Sequence, residues 1–264
     1  MKSTCLKTRM SLLLSVVALV LFCFGMAACD DHTAHAASSG RENPADTALQ
    51  PPPFAVQGKL IFDETPKYAS AYVGNKLSCN DCHLQSGTAA HAAPMIDLAG
   101  LFPMFNKRAG HVISLENRIQ ECFTRSEAGS PPATNSPEVQ ALVAYINWLS
   151  RDGVKGKAWP GRGLVKIPAL NGDPVAGKAV YAAQCAACHG ADGVGVPPIL
   201  PAVWGNDSFN DGAGMNKPAK MAAFVLHNMP QNHPGTLSPQ QAWDVSAYIH
   251  TMPRQKFNEA YKQY

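Results

Sequence analysis

A chain of 264 residues is long enough for two small domains, each with its own core. Only 16% of it is charged while Gly and Pro number 21 each, which suits a loop-rich fold packed around a cofactor. Basic residues number 22 and acidic ones 19; Lys2, Lys7 and Arg9, in an acid-free leader, account for the excess. The remainder is balanced and lacks the basic stripe that nucleic-acid binding requires.

Residues 1–28 read as a secretory signal, with Lys2, Lys7 and Arg9 ahead of an apolar run over 12–26. That run is shorter than the ~20 residues a membrane-spanning helix needs. Met26-Ala27-Ala28-Cys29 resembles a bacterial lipobox, although Leu is commoner in the place of Met26. Cys29 is therefore the expected lipid anchor, and Asp30 beside it resembles an inner-membrane retention signal. The alternative is cleavage after Ala36, with Ala34-His35-Ala36 as the small-residue site. Residues 29–53, polar and ending in Pro51-Pro52-Pro53, are expected to form an extended tether.

The next segment, 54–152, contains Cys79-Asn80-Asp81-Cys82-His83, a C-x-x-C-H motif of c-type haem attachment. The two thiols bond to the porphyrin vinyl groups and the adjacent His lies under the iron. Cys79 and Cys82 are thus attachment residues and His83 an iron ligand. A capped helix is expected from Ser114, with Leu115, Ile119 and Cys122 on one apolar face. Arg118, Cys122 and Ser126 fall at i, i+4 and i+8 and project together. Two arginines within a turn of Cys122 favour a thiolate, whereas a structural thiol would simply be buried. Glu116, Glu121 and Glu127 are near enough in sequence to engage Arg108, Arg118 or Arg125 in ordinary ion pairs. Met95, Met104, His91 and His111 are the other soft donors here. Ser136 and Pro137 open the closing helix of this domain, which carries Leu142, Val143, Tyr145, Ile146 and Leu149.

Residues 153–172 are broken repeatedly by Gly and Pro and read as a linker lying over the surface, pinned by Trp159. The second domain, 173–264, opens with the cap-and-proline pair Asp173-Pro174 and leads to Cys185-Ala186-Ala187-Cys188-His189. Cys185 and Cys188 repeat the attachment pair and His189 the ligand. A four-Cys zinc site would leave both histidines idle. Met229-Pro230, after the apolar stretch 221–226, resembles the Met-Pro placement of ordinary cytochromes c, so Met229 is the preferred distal ligand. Met215, Met221, His227 and His233 are the alternatives. Ser238-Pro239-Gln240-Gln241 caps a closing helix whose Ala247-Tyr248-Ile249 echoes Ala144-Tyr145-Ile146. The chain therefore reads as all-α: a duplicated small cytochrome unit binding two covalent haem c groups. Of the eight cysteines, only Cys29 and Cys122 lie outside the motifs and the leader, and a bridge between them stays open.

Beyond these patterns the sequence resembles the dihaem thiosulfate dehydrogenases. The resemblance runs through Lys76-Leu-Ser-Cys-Asn-Asp-Cys-His-Leu84, Phe102-Pro103, Leu115-Glu-Asn-Arg-Ile-Gln-Glu-Cys-Phe-Thr-Arg-Ser126 and Leu142-Val-Ala-Tyr-Ile-Asn-Trp-Leu-Ser150. It continues through Val203-Trp-Gly-Asn-Asp-Ser-Phe-Asn-Asp-Gly-Ala-Gly-Met215 and Asn228-Met-Pro230. It implies that Cys122 is the distal ligand of the first haem and lies at the active site. Arg108, Arg118 and Ser126 would then help hold the substrate. Some relatives have a lysine before the distal Met that competes for iron; Asn228 stands there in this chain. Thiosulfate and tetrathionate become the expected substrate pair. A small redox protein, another cytochrome c or a high-potential iron–sulfur protein, becomes the expected partner, and the periplasm the expected location. The reverse reaction, a non-catalytic dihaem carrier and a haem redox sensor are the competing readings, although no output domain is visible for a sensor.

Overall fold

The computed structural model describes residues 50–264. The signal 1–28, the anchor at Cys29, the alternative cleavage after Ala36 and nearly all of the tether lie outside the described residues. Among the described residues, six helices of eleven to thirteen residues dominate: α1 (Pro53–Asp63), α2 (Leu115–Arg125), α3 (Pro137–Leu149), α4 (Pro174–Gln184), α5 (Pro218–Asn228) and α6 (Pro239–His250). Their starts follow from local chemistry. Ser114 Oγ accepts the Asn117 N–H at 3.2 Å, Ser136 Oγ that of Val139 at 3.3 Å, Asp173 Oδ1 that of Val175 at 2.8 Å, and Ser238 Oγ that of Gln241 at 3.2 Å. Each contact satisfies an amide that has no partner within its helix.

The duplication extends beyond the repeated motif. In the first half, α1 crosses α3 at Gly58, where an added Cβ would overlap the Ala141 carbonyl and lie 2.8 Å from Tyr145 Cβ. In the second half, α4 crosses α6 at Gly177, against the Asp244 carbonyl and 2.9 Å from Tyr248 Cβ. Only glycine lets the two backbones come this close. Around the first crossing pack Ile61, Phe62, Ile119, Phe123, Leu142 and Ile146; around the second, Tyr181, Trp204, Phe209, Val225, Val245 and Ile249.

Three features were not read from the sequence. Helix α1 begins with Pro53 in its first turn, where the proline ring costs no hydrogen bond. A short antiparallel hairpin, β1 (Met104–Asn106) with β2 (His111–Ile113), interrupts the otherwise helical chain; its turn carries Arg108 and closes at Gly110, φ 76°. The third is how the halves join. Leu77, two residues before Cys79, is buried in the core of the second half. Asn75 Nδ2 donates to Ser126 O (2.8 Å) and to Ser208 O (2.9 Å). Asn210 Nδ2 donates to Thr124 O (2.8 Å), and its N–H to Arg125 O (3.3 Å). The second half therefore caps the last carbonyls of α2. Arg125 is buried in this junction, with its guanidinium 4.0 Å over the Phe257 ring.

Candidate functional site

Hydrogen bonds within the protein fix the first C-x-x-C-H segment. Ser78 and Asp81 form a reciprocal cap over Cys79–Asp81, with the Ser78 N–H 2.8 Å from Asp81 Oδ2. Thr65 Oγ1 accepts the Cys79 N–H at 3.1 Å and donates to Ile61 O at 2.9 Å, tying the motif to α1. His83 Nδ1 lies 2.6 Å from Ala93 O. A carbonyl can only accept, so Nδ1 carries the proton and Nε2 keeps its lone pair for a metal. Burial pulls the imidazole down to about 4, so it is neutral. The second motif repeats the device: His189 Nδ1 lies 2.8 Å from Pro201 O.

A cavity of about 750 Å³ opens beside the first motif. Cys79, Cys82 and His83 contribute to its wall, and so do Arg118 and Cys122 from α2 and Ser126, its C-cap. Phe62, Leu98, Leu142 and Ile146 make much of the rest apolar. Burial pushes the Cys79 and Cys82 thiols well up, so both are neutral. A large apolar cavity with two buried thiols and an imidazole whose Nε2 is free fits a covalent haem. At the second motif Cys185 is partly buried, and burial raises its thiol to about 11; Cys188 is exposed. Met229 and Met215 pack with Cys185 against the second core, whereas Met221 is inside that core and His227 and His233 are exposed.

Two influences oppose each other at the Cys122 thiol. Arg118 does pull its proton affinity down, but burial outweighs it and Glu121 and Glu127 add to the rise. Arg125, the second arginine within a turn of Cys122, is committed to the domain junction. A metal contact would reverse this balance by deprotonating the thiol outright. Among the other soft donors, Met95 and Met104 line the cavity. His91 instead meets His227 edge-on, centroids 5.1 Å apart, and His111 is exposed on β2.

Arg118 lines the cavity; Arg108 is not in its wall but sits on the hairpin turn next to Lys107, which is. The two arginines meet at Glu121. Arg118 Nη1 lies 3.0 Å from its Oε2, Arg108 Nη1 lies 3.7 Å from its Oε1, and Asn106 Nδ2 donates to Oε2 at 2.8 Å. Sequence reasoning had Glu121 only as an ion-pair partner, and nothing in the spacing pointed to Asn106. Glu127, buried with its Oε2 unpartnered, also faces the cavity. The linker is closer to the site than its composition suggested. The His91 N–H donates to Gly161 O (2.8 Å) and the Ala93 N–H to Gly163 O (2.9 Å), and Trp159 and Arg162 close one side of the cavity.

Sequence comparison assigns the two halves to different families. Residues 67–154 match the SoxA/TsdA cytochrome c domain and residues 174–253 match cytochrome c. The chain is 42% identical over 204 residues to a thiosulfate dehydrogenase of Stutzerimonas stutzeri, covering 75% of this chain and 66% of that one. It is 40% identical over 215 residues to a thiosulfate dehydrogenase of Allochromatium vinosum, covering 77% and 79%. Among solved structures, the as-isolated form of thiosulfate dehydrogenase (TsdBA) from Marichromatium purpuratum superposes with a TM-score of 0.72 at 36% identity. That match covers 78% of this chain and 48% of the Marichromatium chain, so this chain spans about half of it.

Proposed function

Because the chain belongs to the thiosulfate dehydrogenase family, with two tandem cytochrome c domains and two covalently bound haem c, we propose that it joins two thiosulfate ions into tetrathionate. Cys79 and Cys82 would attach the first haem, with His83 and Cys122 as axial donors. Cys185 and Cys188 would attach the second, with His189 and Met229. The observation that carries the reading is that Cys122, Arg118 and Ser126 share one cavity with Cys79, Cys82 and His83. A plain electron carrier has no use for that grouping.

The Cys122 sulfur and the terminal sulfur of one thiosulfate form an S–S bond. Two electrons and the thiol proton leave, giving Cys122–S–S–SO3−. Haem c, when bound, supplies the two one-electron acceptors for this step. The terminal sulfur of a second thiosulfate then attacks the outer sulfur of the adduct, and Cys122 departs as thiolate by the logic of disulfide exchange. Tetrathionate is released. Two dianions must meet, so Arg118 and Arg108 provide charge-assisted donors to sulfonate oxygens and Ser126 a neutral one. Because the chain outside its leader is balanced in charge, this attraction is local. Met229 favours a higher potential than a thiolate donor, which suits the second haem to electron exit. A small redox protein, a cytochrome c or a high-potential iron–sulfur protein, would collect the electrons in the periplasm, with Cys29 as the lipid anchor.

The test is a thiosulfate-dependent ferricyanide reduction assay on the holoprotein, with its visible spectrum recorded in parallel. Tetrathionate should form as ferricyanide is consumed. A dihaem spectrum without turnover would leave only the carrier.

A further inference from the structure

We propose that Glu121 is the positioning residue that assembles the two thiosulfate-binding arginines, an inference that rests on the function proposed above. Arg118 comes from α2 and Arg108 from the turn between β1 and β2, so nothing local in the chain brings them together. Glu121 does, with its side chain 2% exposed. Oε2 accepts from Arg118 Nη1 at 3.0 Å and from Asn106 Nδ2 at 2.8 Å. Oε1 makes no hydrogen bond and faces Arg108 Nη1 at 3.7 Å. Asn106 completes the tie, because its Oδ1 accepts the N–H groups of Arg108 (2.8 Å) and Ala109 (3.3 Å). One buried carboxylate thus fastens the hairpin to the helix that carries Cys122.

The chemistry explains why an acid belongs beside an anion-binding site. Two guanidinium groups converging on one sulfonate repel each other, and a side chain as flexible as Arg loses much of its donor strength when its fork is not held. Glu121 screens that repulsion and fixes one edge of each fork while the trio keeps a net charge of +1. The same carboxylate repels a dianion through space. Orientation and Coulomb attraction therefore make opposite demands on this residue, and the sign of its effect on substrate affinity reveals which dominates.

The experiment is steady-state thiosulfate kinetics and thermal melting on the Glu121→Gln holoenzyme, which keeps the shape and removes the charge. Positioning predicts that KM rises about tenfold, with a smaller fall in kcat, although the site has become more positive. A KM that falls would show that Glu121 merely neutralises, and a lowered Tm with unchanged KM would show a structural residue; either overturns the proposal. Should Glu121→Gln not assemble, Asn106→Ala keeps all three charges and cuts only the tie to the hairpin. It should raise KM severalfold, and an unchanged KM there also overturns the proposal. Wild-type protein and Cys122→Gly are run in the same assay. Absence of wild-type turnover, or full activity without Cys122, would instead remove the underlying function.

Discussion

Replacing Arg118 by alanine separates a substrate contact from an ion pair. In the resting structure Arg118 is an ion-pair partner: its Nη1 lies 3.0 Å from Glu121 Oε2, with side-chain exposures of 39% and 2%. Its removal leaves Glu121 with Asn106 at 2.8 Å and Arg108 at 3.7 Å, so the carboxylate stays partnered. The half-open guanidinium limits the stability cost to ~1–2 kcal/mol, which for a chain of this size lowers Tm by roughly 2–8 °C. On the proposed role, the contact with substrate would be worth more. A charge-assisted bond to a sulfonate in a poorly hydrated cavity contributes ~1.5–3 kcal/mol, or about ten- to a hundredfold in kcat/KM. Arg118→Lys keeps the charge and loses the fork, so it should fall between. Arg125→Ala is the control: that residue is buried at the domain junction, bonded to Gly212 O and Tyr264 O at 3.4 Å and stacked on Phe257. It should lose more Tm and leave KM unchanged. Thiosulfate–ferricyanide kinetics with parallel melting curves decide the matter. Activity that merely tracks Tm across the series, or a larger KM effect at Arg125 than at Arg118, would refute the reasoning.

Denatured holoprotein should retain two haem groups through acid–acetone extraction, and replacing Cys79 with Cys82, or Cys185 with Cys188, should remove one of them. Met229→Gly should abolish any Met–ferric charge-transfer absorption and lower one haem potential while the other spectrum is unchanged; the same loss from Met215→Gly would reassign the ligand. Gly177→Ala should cost ~1–3 kcal/mol of stability, read by melting, because the new Cβ falls on the Asp244 carbonyl where α4 crosses α6.

What the sequence disclosed was local and repeated. The two C-x-x-C-H motifs, the Ser136 and Ser238 caps and the shared Ala-Tyr-Ile run each depend on spacings of a few residues, and the duplication made each more convincing. Cys122, Arg118 and Ser126 were legible for the same reason, since α2 carries the first two and Ser126 is its C-cap. What stayed hidden depends on tertiary contacts. Asn106 has no spacing that points to Glu121, fifteen residues along the chain. The Gly- and Pro-rich linker looked like surface chain, and its backbone pairing with 91–93 is what brings Trp159 to the cavity. Helical spacing already turns Arg125 off the Arg118–Cys122 line, but it does not show its burial at the junction, where Asn75 and Asn210 draw in the end of α2 and take Arg125 with it. Nor could the spacing show how deeply the Cys122 thiol is enclosed, although desolvation, set by what surrounds the group and not by its neighbours in the chain, opposes the pull of Arg118.

The proposed chemistry stands or falls with the Cys122 sulfur. Thiosulfate–ferricyanide turnover of Cys122→Gly, compared with wild type at equal haem content and equal Tm, tests it most directly. Both haem groups should stay attached and the fold intact while turnover is lost. Near-normal thiosulfate oxidation by that variant would contradict that chemistry.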